Sequence, residues 1–313
     1  MRVAVLDDYQ QVAHRFADWA GLGAEVAFVD RPLPDDDAVV AALAGYDVVV
    51  AMRERTPFTA ARLARLPDLR LLVTTGRQNA SIDLDAARAR GVVVCGTDSP
   101  TNATPELTWA LILAVLRHVP AEDRAVRDGG WQHTVGGDLE GRRLGVVGLG
   151  RLGSRVARVG LAFGMDVVAW SRHLDPAHAE GLGVRPVAKD ELFATSDVVT
   201  VHYKLSDRSR GVVGGDDLAR MKRTAILVNT SRGPLVDTGA LLAALHEGRI
   251  GGAGLDVYDV EPLPADHPLR SAPRTVLTPH LGYVTGATYR TFYRQAVEDV
   301  AAWAAGEPLR VLT

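Results

Sequence analysis

The sequence predicts an α/β protein built from two doubly wound parallel-sheet domains. Three observations carry that prediction. Short runs rich in Val and Leu alternate with stretches of helical period along the chain, the rhythm of βαβ units whose helices cover both faces of a parallel sheet. The chain has 313 residues, 47% of them hydrophobic, enough for two cores of ordinary domain size. Finally, the same rhythm repeats in the second half, behind a glycine-rich turn at residues 148–153.

In the first half the strand candidates are Val3–Leu6, Glu25–Val29, Val48–Met52, Leu69–Thr74 and Val92–Cys95. Helical patterns at Gln10–Trp19, Asp36–Ala44, Thr59–Leu66 and Leu84–Arg90 separate them. Open α/β sheets bind ligands at the C-terminal ends of their strands. Asp7, Asp8, Tyr9, Arg53 and residues 75–79 therefore mark the edge to watch. Pro105–Arg127 reads as one long amphipathic helix with Leu107, Leu111, Leu113 and Leu116 inward, a bridge between domains. Six strand candidates follow: Leu144–Val147, Asp166–Trp170, Val198–His202, Ala225–Asn229, Gly254–Val257 and Thr275–Thr278. The last helix, Ala287–Ala305, is not needed to complete their sheet, so it should cross back onto the first domain.

The turn itself is specific. Gly148, Gly150 and Gly153 form G-x-G-x-x-G between the apolar run Leu144–Val147 and the helical stretch Ser154–Gly164. In that setting the first glycine permits the tight turn, the second lets backbone approach a pyrophosphate, and the third lets helix and strand pack closely. The helix N-terminus offers free N–H groups and a positive dipole end to phosphate. This predicts a Rossmann domain binding a dinucleotide.

Composition excludes other classes. A net charge of −3 gives no electrostatic case for nucleic acid or an anionic membrane surface. Lys occurs only at 189, 204 and 222, a composition bias. The single cysteine, Cys95, sits in an apolar run and reads as buried and inert. Met1–Leu6 is too short for a signal h-region, and no apolar run approaches ~18 residues. A cytoplasmic protein is the expectation. No Cys/His cluster has metal-ligand spacing, so no metal is expected.

Three segments of the second half place ionisable residues at strand ends: Asn229–Gly233 with Arg232, Leu255–Pro262 with Glu261, and Thr278–Gly282 with His280. Taken singly, each has a plainer reading: a surface Arg, a turn Glu before Pro262, a loop His beside Pro279. In this order behind the glycine turn, they resemble the D-2-hydroxyacid dehydrogenase family, in kind nearest its glyoxylate and hydroxypyruvate reductases. The resemblance covers nearly the whole chain. It implies a flavodoxin-like substrate-binding domain at 1–98 and 284–313, a Rossmann NAD(P)-binding domain inserted at 99–283, and a homodimer. It also implies a reaction, the interconversion of a small 2-keto acid and its D-2-hydroxy acid.

The residue types suit that chemistry. An imidazole, with an ordinary pKa of about 6.5, can hand a proton to the alkoxide that hydride addition creates. By resemblance His280 is that acid/base and Glu261 the carboxylate that orients it. Arg232, a planar fork, grips the substrate carboxylate and polarises its carbonyl. On the cofactor side the resemblance puts the Thr230 backbone and Asp256 at the nicotinamide carboxamide, with a turn cap as the competing role for Asp256, and has Arg151 and Leu152 complete the pyrophosphate loop. The first-domain loop Thr74–Asp83 resembles the family's Gly-rich substrate loop but keeps only Gly76, followed by Arg77, Gln78 and Asn79. Arg53 matches a substrate-facing Arg, or else lies on a solvated face. Tyr283 replaces a common Ser. Trp131 matches a position near the subunit interface, or else packs in the core. The eight other histidines read as structural or solvated.

The strand Asp166–Trp170 ends in Ser171-Arg172-His173, with no carboxylate before Asp175. An NAD site wants an acid about 20 residues beyond the glycine loop to hold the ribose 2′-OH. A hydroxyl and a guanidinium suit a 2′-phosphate, and Lys204 adds a cation where the family usually has Pro. NADP(H) is therefore the expected preference over NAD(H); the competing reading is that Arg172 stacks on adenine and both cofactors are accepted. Two other functions stay open: a nicotinamide-sensing binding protein like the family's corepressors, and a phosphite-type dehydrogenase. Formate dehydrogenase is disfavoured, because its acidic partner is Gln and this chain keeps Glu261.

Overall fold

The computed structural model describes residues 1–313, which divide into two compact units: Met1–Pro100 with Val284–Thr313, and Thr101–Tyr283. The first holds β1 (Arg2–Val5), β2 (Glu25–Phe28), β3 (Val48–Ala51), β4 (Leu71–Thr74) and β5 (Val93–Gly96). All pair parallel in the order β2-β1-β3-β4-β5. This is the flavodoxin-type order, with its switch point between β1 and β3. Central strands covered on both faces read as unbroken apolar runs, and β3 and β4 are buried at every residue. One face of alternate residues, with Leu6, Val49, Leu72 and Val94, packs on Val39, Leu43, Leu63 and Ala87 of three covering helices. Helix Gly286–Ala304 belongs to this unit and packs on β4, burying Phe292, Tyr293, Ala296 and Val300.

One helix of this unit departs from expectation. In place of Gln10–Trp19 there is a single turn, Ala13–Phe16, and a 3₁₀ turn, Ala20–Leu22. The Asp8 carboxylate accepts from the Val12 and Ala13 amides and so fixes a later start. Gln11 just before it is left-handed, at φ 54°.

The second unit holds β6 (Arg143–Val147), β7 (Asp166–Trp170), β8 (Arg185–Pro186), β9 (Val198–Val201), β10 (Ile226–Asn229), β11 (Gly252–Leu255) and β12 (Thr275–Leu277). Its order, β12-β11-β10-β9-β6-β7-β8, is the Rossmann order with one added strand, and it switches direction between β6 and β9. The expected six strands are seven. The missed one, β8, is two residues long and contains Pro186, which only a sheet edge tolerates. β11 begins two residues before its expected start. A Cβ on Gly252 would lie 2.6 Å from the Arg274 carbonyl oxygen, and one on Gly254 3.1 Å from Leu111 Cβ. These glycines mark close approach rather than a turn. Alternate residues feed two cores: Val147, Val168, Val199, Val201 and Leu227 on one face, and Leu144, Val146, Val167, Val198 and Val228 on the other.

The expected single helix Pro105–Arg127 is two, Ala103–Leu116 and Val119–Arg127, broken at His118 with φ 54°. Pro120 has no N–H to bond the Leu116 carbonyl, so a continuous helix would orphan that oxygen. Instead the chain restarts with Pro120 in a first turn, where it costs nothing. The Leu116 carbonyl accepts from Gly137. Leu111 and Leu116 are buried as expected, with Leu107 and Leu113 partly so.

Candidate active site

The glycine turn joins β6 to helix Arg151–Ala162, which begins three residues before its expected start and has Gly150 at its N-cap. Gly148 is left-handed, at φ 100°, and a Cβ there would lie 2.6 Å from the His202 carbonyl oxygen. A Cβ on Gly153 would collide with the Gly148 carbonyl. Gly150 differs, since a Cβ there meets nothing within 4 Å. The outer glycines let backbones touch, while the middle one faces open space at a helix N-terminus. Such a cradle fits a pyrophosphate. His202, beside it, bonds Thr200 through Nε2. Burial pushes its imidazole down to about 4, so it is neutral and structural.

Past β7, Ser171 Oγ accepts from the Leu149 amide at 3.1 Å, tying the strand end to the glycine turn. The Arg172 amide donates to the Tyr203 hydroxyl, and its Nη2 to the Arg208 carbonyl. Lys204 is exposed on the same loop. Asp175, the first carboxylate beyond the strand, caps helix Pro176–Gly181 by accepting from the Ala177 amide.

Three loops at the ends of β10, β11 and β12 carry the ionisable residues. In the first, Asn229 accepts from the Ser231 amide and donates to the Arg232 carbonyl, which folds the loop back on itself. Gly233 lies so close to the Tyr258 and Asp259 backbone that a Cβ would overlap it. That contact sets the Arg232 loop directly against the one bearing Glu261. His280 Nδ1 is 2.5 Å from Glu261 Oε2, and Oε1 accepts from the Tyr258 amide at 2.9 Å. Both side chains are largely buried, 16% and 23% exposed. His280 is left-handed, at φ 55°, a conformation non-glycine residues adopt where surroundings enforce it. Tyr283 sets its ring edge-on to the His280 ring, 5.7 Å between centroids.

Asp256 enforces the His280 turn. It is fully buried, and its oxygens accept from Thr278 Oγ1 at 2.6 Å and the Leu281 and Gly282 amides at 2.7 and 2.8 Å. Its competing reading as a turn cap therefore holds. Burial raises its pKa against those donors and the nearby His280. Thr230, at the end of β10, is buried and shares a hydroxyl–hydroxyl bond with Thr108.

Sequence reasoning gave no role to Tyr258, Gly233, Thr278 or Thr108. The Tyr258 hydroxyl donates to the Thr278 carbonyl and so ties the Glu261 and His280 loops together. Tyr258 and Gly233 sit within motifs already singled out, so their position was a signal. Thr108 lies in a helix far along the chain and gave none.

In the first unit, Gly76 is left-handed, at φ 105°, and a Cβ there would collide with the Arg53 guanidinium. Arg53 is thus folded against Gly76, its side chain 22% exposed, and the solvated-face reading fails. Asn79 is spent on the loop itself. It donates to the Arg53 carbonyl and Thr74 Oγ1 and accepts from the Ser81 amide. Arg77 is exposed and bonds Asp98, which also holds Gln295. Gln78 is exposed. Trp131, in the second unit, is 74% exposed, which overturns core packing.

Residues 109–282 match the NAD binding domain of the D-isomer specific 2-hydroxyacid dehydrogenases. A glyoxylate reductase of Aeropyrum pernix is 40% identical over 255 residues, 78% of this chain and 76% of its own. Another, of Korarchaeum cryptofilum, is 36% identical over 285 residues, 89% of this chain and 86% of its own. A solved phosphoglycerate oxidoreductase from Vibrio cholerae matches with a TM-score of 0.93 at 37% identity, covering 98% of this chain and 99% of that one. With a coenzyme-domain match across more than half its length and relatives that align along most of it, the chain belongs to the D-isomer specific 2-hydroxyacid dehydrogenase family of NAD-dependent oxidoreductases.

Proposed function

We propose that this enzyme reduces a small 2-keto acid to its D-2-hydroxy acid, with NADPH preferred and NADH accepted. The observation that carries the proposal is the His280–Glu261 contact on loops packed against the one bearing Arg232. Bound nicotinamide would supply the hydride at its C4 position. The chain's own residues do the rest. Arg232 anchors the substrate carboxylate and polarises the C2 carbonyl, drawing charge onto its oxygen. Glu261 holds His280 Nδ1–H, which stabilises the imidazolium and leaves proton donation to Nε2. That proton neutralises the alkoxide as C2 is reduced. Asp256 fixes the turn carrying His280. A carboxylate has roughly four acceptor positions, so its three bonds leave one for a carboxamide N–H, which the bound cofactor would have to uncover because Asp256 is fully buried. The Thr230 backbone serves the same group. In the first unit, Arg53 and the Gly76 amide region contribute to substrate binding, with Arg77 and Gln78 at the loop's exposed rim.

The cofactor preference rests on Ser171, Arg172 and Lys204, and on Asp175 being committed to a helix cap. Gly148, Gly150, Arg151, Leu152 and Gly153 hold the pyrophosphate. The implied homodimer would cover Trp131, Val126 and Val135, which are 74%, 52% and 93% exposed here. A cytoplasmic site suits a lone buried thiol, Cys95, whose pKa burial pushes up to about 12. No helix is long and apolar enough to cross a membrane.

The test is consumption of NADPH and NADH against glyoxylate, hydroxypyruvate, pyruvate and phenylpyruvate. Turnover with NADPH on one of them is expected. Silence on all four, with NADPH still bound by fluorescence titration, would rule out these keto acids and favour an unusual substrate or a cofactor-sensing role.

A further inference from the structure

We infer that Tyr203 is a positioning residue for cofactor choice, holding Arg172 where its cation meets the ribose 2′-phosphate. This rests on the NADPH reading above and names the part of the chain that makes it work. Tyr203 lies two residues past β9, while Arg172 lies two past β7, and β6 runs between those strands. A side chain on Gly148 would block the crossing, since its Cβ would lie 3.1 Å from the Tyr203 amide nitrogen. With glycine there, Tyr203 reaches across. Its ring stacks on Trp170, the last residue of β7, at 6.0 Å and 19°. Its hydroxyl accepts the Arg172 amide at 2.9 Å.

The same loop takes hold of Arg172 a second time, through the Arg208 carbonyl and Nη2 at 3.3 Å. No carboxylate pairs with Arg172, and the nearest along the chain, Asp175, is occupied at its helix cap. Ser171 Oγ accepts from Leu149, so its hydroxyl proton remains to be donated. A long cationic side chain held at both backbone and tip loses less freedom when it binds. Only a ligand with the 2′-phosphate gains from that order. NADH offers a neutral 2′-hydroxyl in place of that charged group, so it gains far less from Arg172.

The experiment measures binding of NADPH, NADH, 2′,5′-ADP and 5′-ADP to the full chain, with kcat and KM for both cofactors, in the parent, Tyr203→Phe and Arg172→Ala. Phe keeps the ring on Trp170 and removes only the acceptor. Loss of one such bond should weaken NADPH and 2′,5′-ADP about three- to tenfold. It should leave NADH, 5′-ADP and kcat unchanged, and Arg172→Ala should lose more. If Arg172→Ala loses the preference while Tyr203→Phe keeps it, the positioning role is overturned and the NADPH reading stands. If Tyr203→Phe weakens both cofactors alike, Tyr203 is merely structural and the inference falls. If Arg172→Ala leaves the preference unchanged, both fall together.

Discussion

At the switch point of the second sheet, between β6 and β9, the ligand edge is made of backbone. Gly148 and Gly153 let main chains touch, and Gly150 opens onto a helix N-terminus. At the corresponding point of the first sheet, between β1 and β3, the edge is made of side chains. Asp7, 5% exposed, accepts from the Tyr9 hydroxyl at 2.9 Å and Thr56 Oγ1 at 3.0 Å, and the Arg55 guanidinium lies 5.2 Å from the centre of the Tyr9 ring. A backbone edge fits one invariant shape, such as a pyrophosphate, and any added atom spoils it. Side-chain edges can be rebuilt residue by residue, which suits the unit proposed to meet a variable substrate.

The largest effect expected is in the chemistry of the second unit. His280→Gln should lower kcat by about 10²- to 10⁴-fold, with NADPH titrating as in the parent. Unchanged turnover would remove His280 from the reaction. Next come the glycines, which separate fold from binding. Gly153→Ala forces a methyl into the Gly148 carbonyl, so thermal stability should fall by about 1–3 kcal/mol along with cofactor affinity. Gly150→Ala meets no protein atom within 4 Å, so melting should be unchanged and only NADPH affinity should drop. Equal melting losses in both would mean that Gly150 is structural too. For the side-chain edge, Asp7→Ala leaves two hydroxyls without their acceptor. It should cost the first unit about 1–3 kcal/mol and raise KM for the keto acid, with NADPH affinity intact.

That contrast also explains what the sequence could reveal. Gly148 and Gly153 are readable because backbone contact leaves glycine as its trace, and Gly150 because it completes their spacing. Arg232, Glu261 and His280 stand out only as a set, since each alone has a plainer reading; their order behind the glycine turn carries the family resemblance, and the structure sets His280 against Glu261. What escaped depends on contacts distant in the chain. Tyr203 looks like any aromatic after a strand until its hydroxyl meets Arg172. Asn79 reads as a ligand group until its amide is found closing its own loop. The helix break at His118 was legible in Pro120, although the apolar period that suggested one helix, Leu107 to Leu116, lies wholly before it. β8 had too few residues to show any period.

The two units also differ in how they bury a carboxylate. Asp256 in the second is fully buried with both oxygens bonded. Asp299 in the first is also fully buried, but only Oδ1 is met, by Arg310 Nε at 3.0 Å, and Oδ2 has no hydrogen-bond partner. Burial outweighs the Arg310 charge and pushes the Asp299 pKa up from 3.8 to about 6. The folded state then binds this proton more tightly than the unfolded chain does. Its contribution is fully present below pH 3.8 and is lost as pH rises through about 6. Asp299→Asn supplies an uncharged side chain at every pH. Across that window, melting of the parent should therefore fall relative to the variant, with the gap constant above it. A gap of one size from pH 4 to 7 would show that Arg310 fully compensates the buried charge of Asp299.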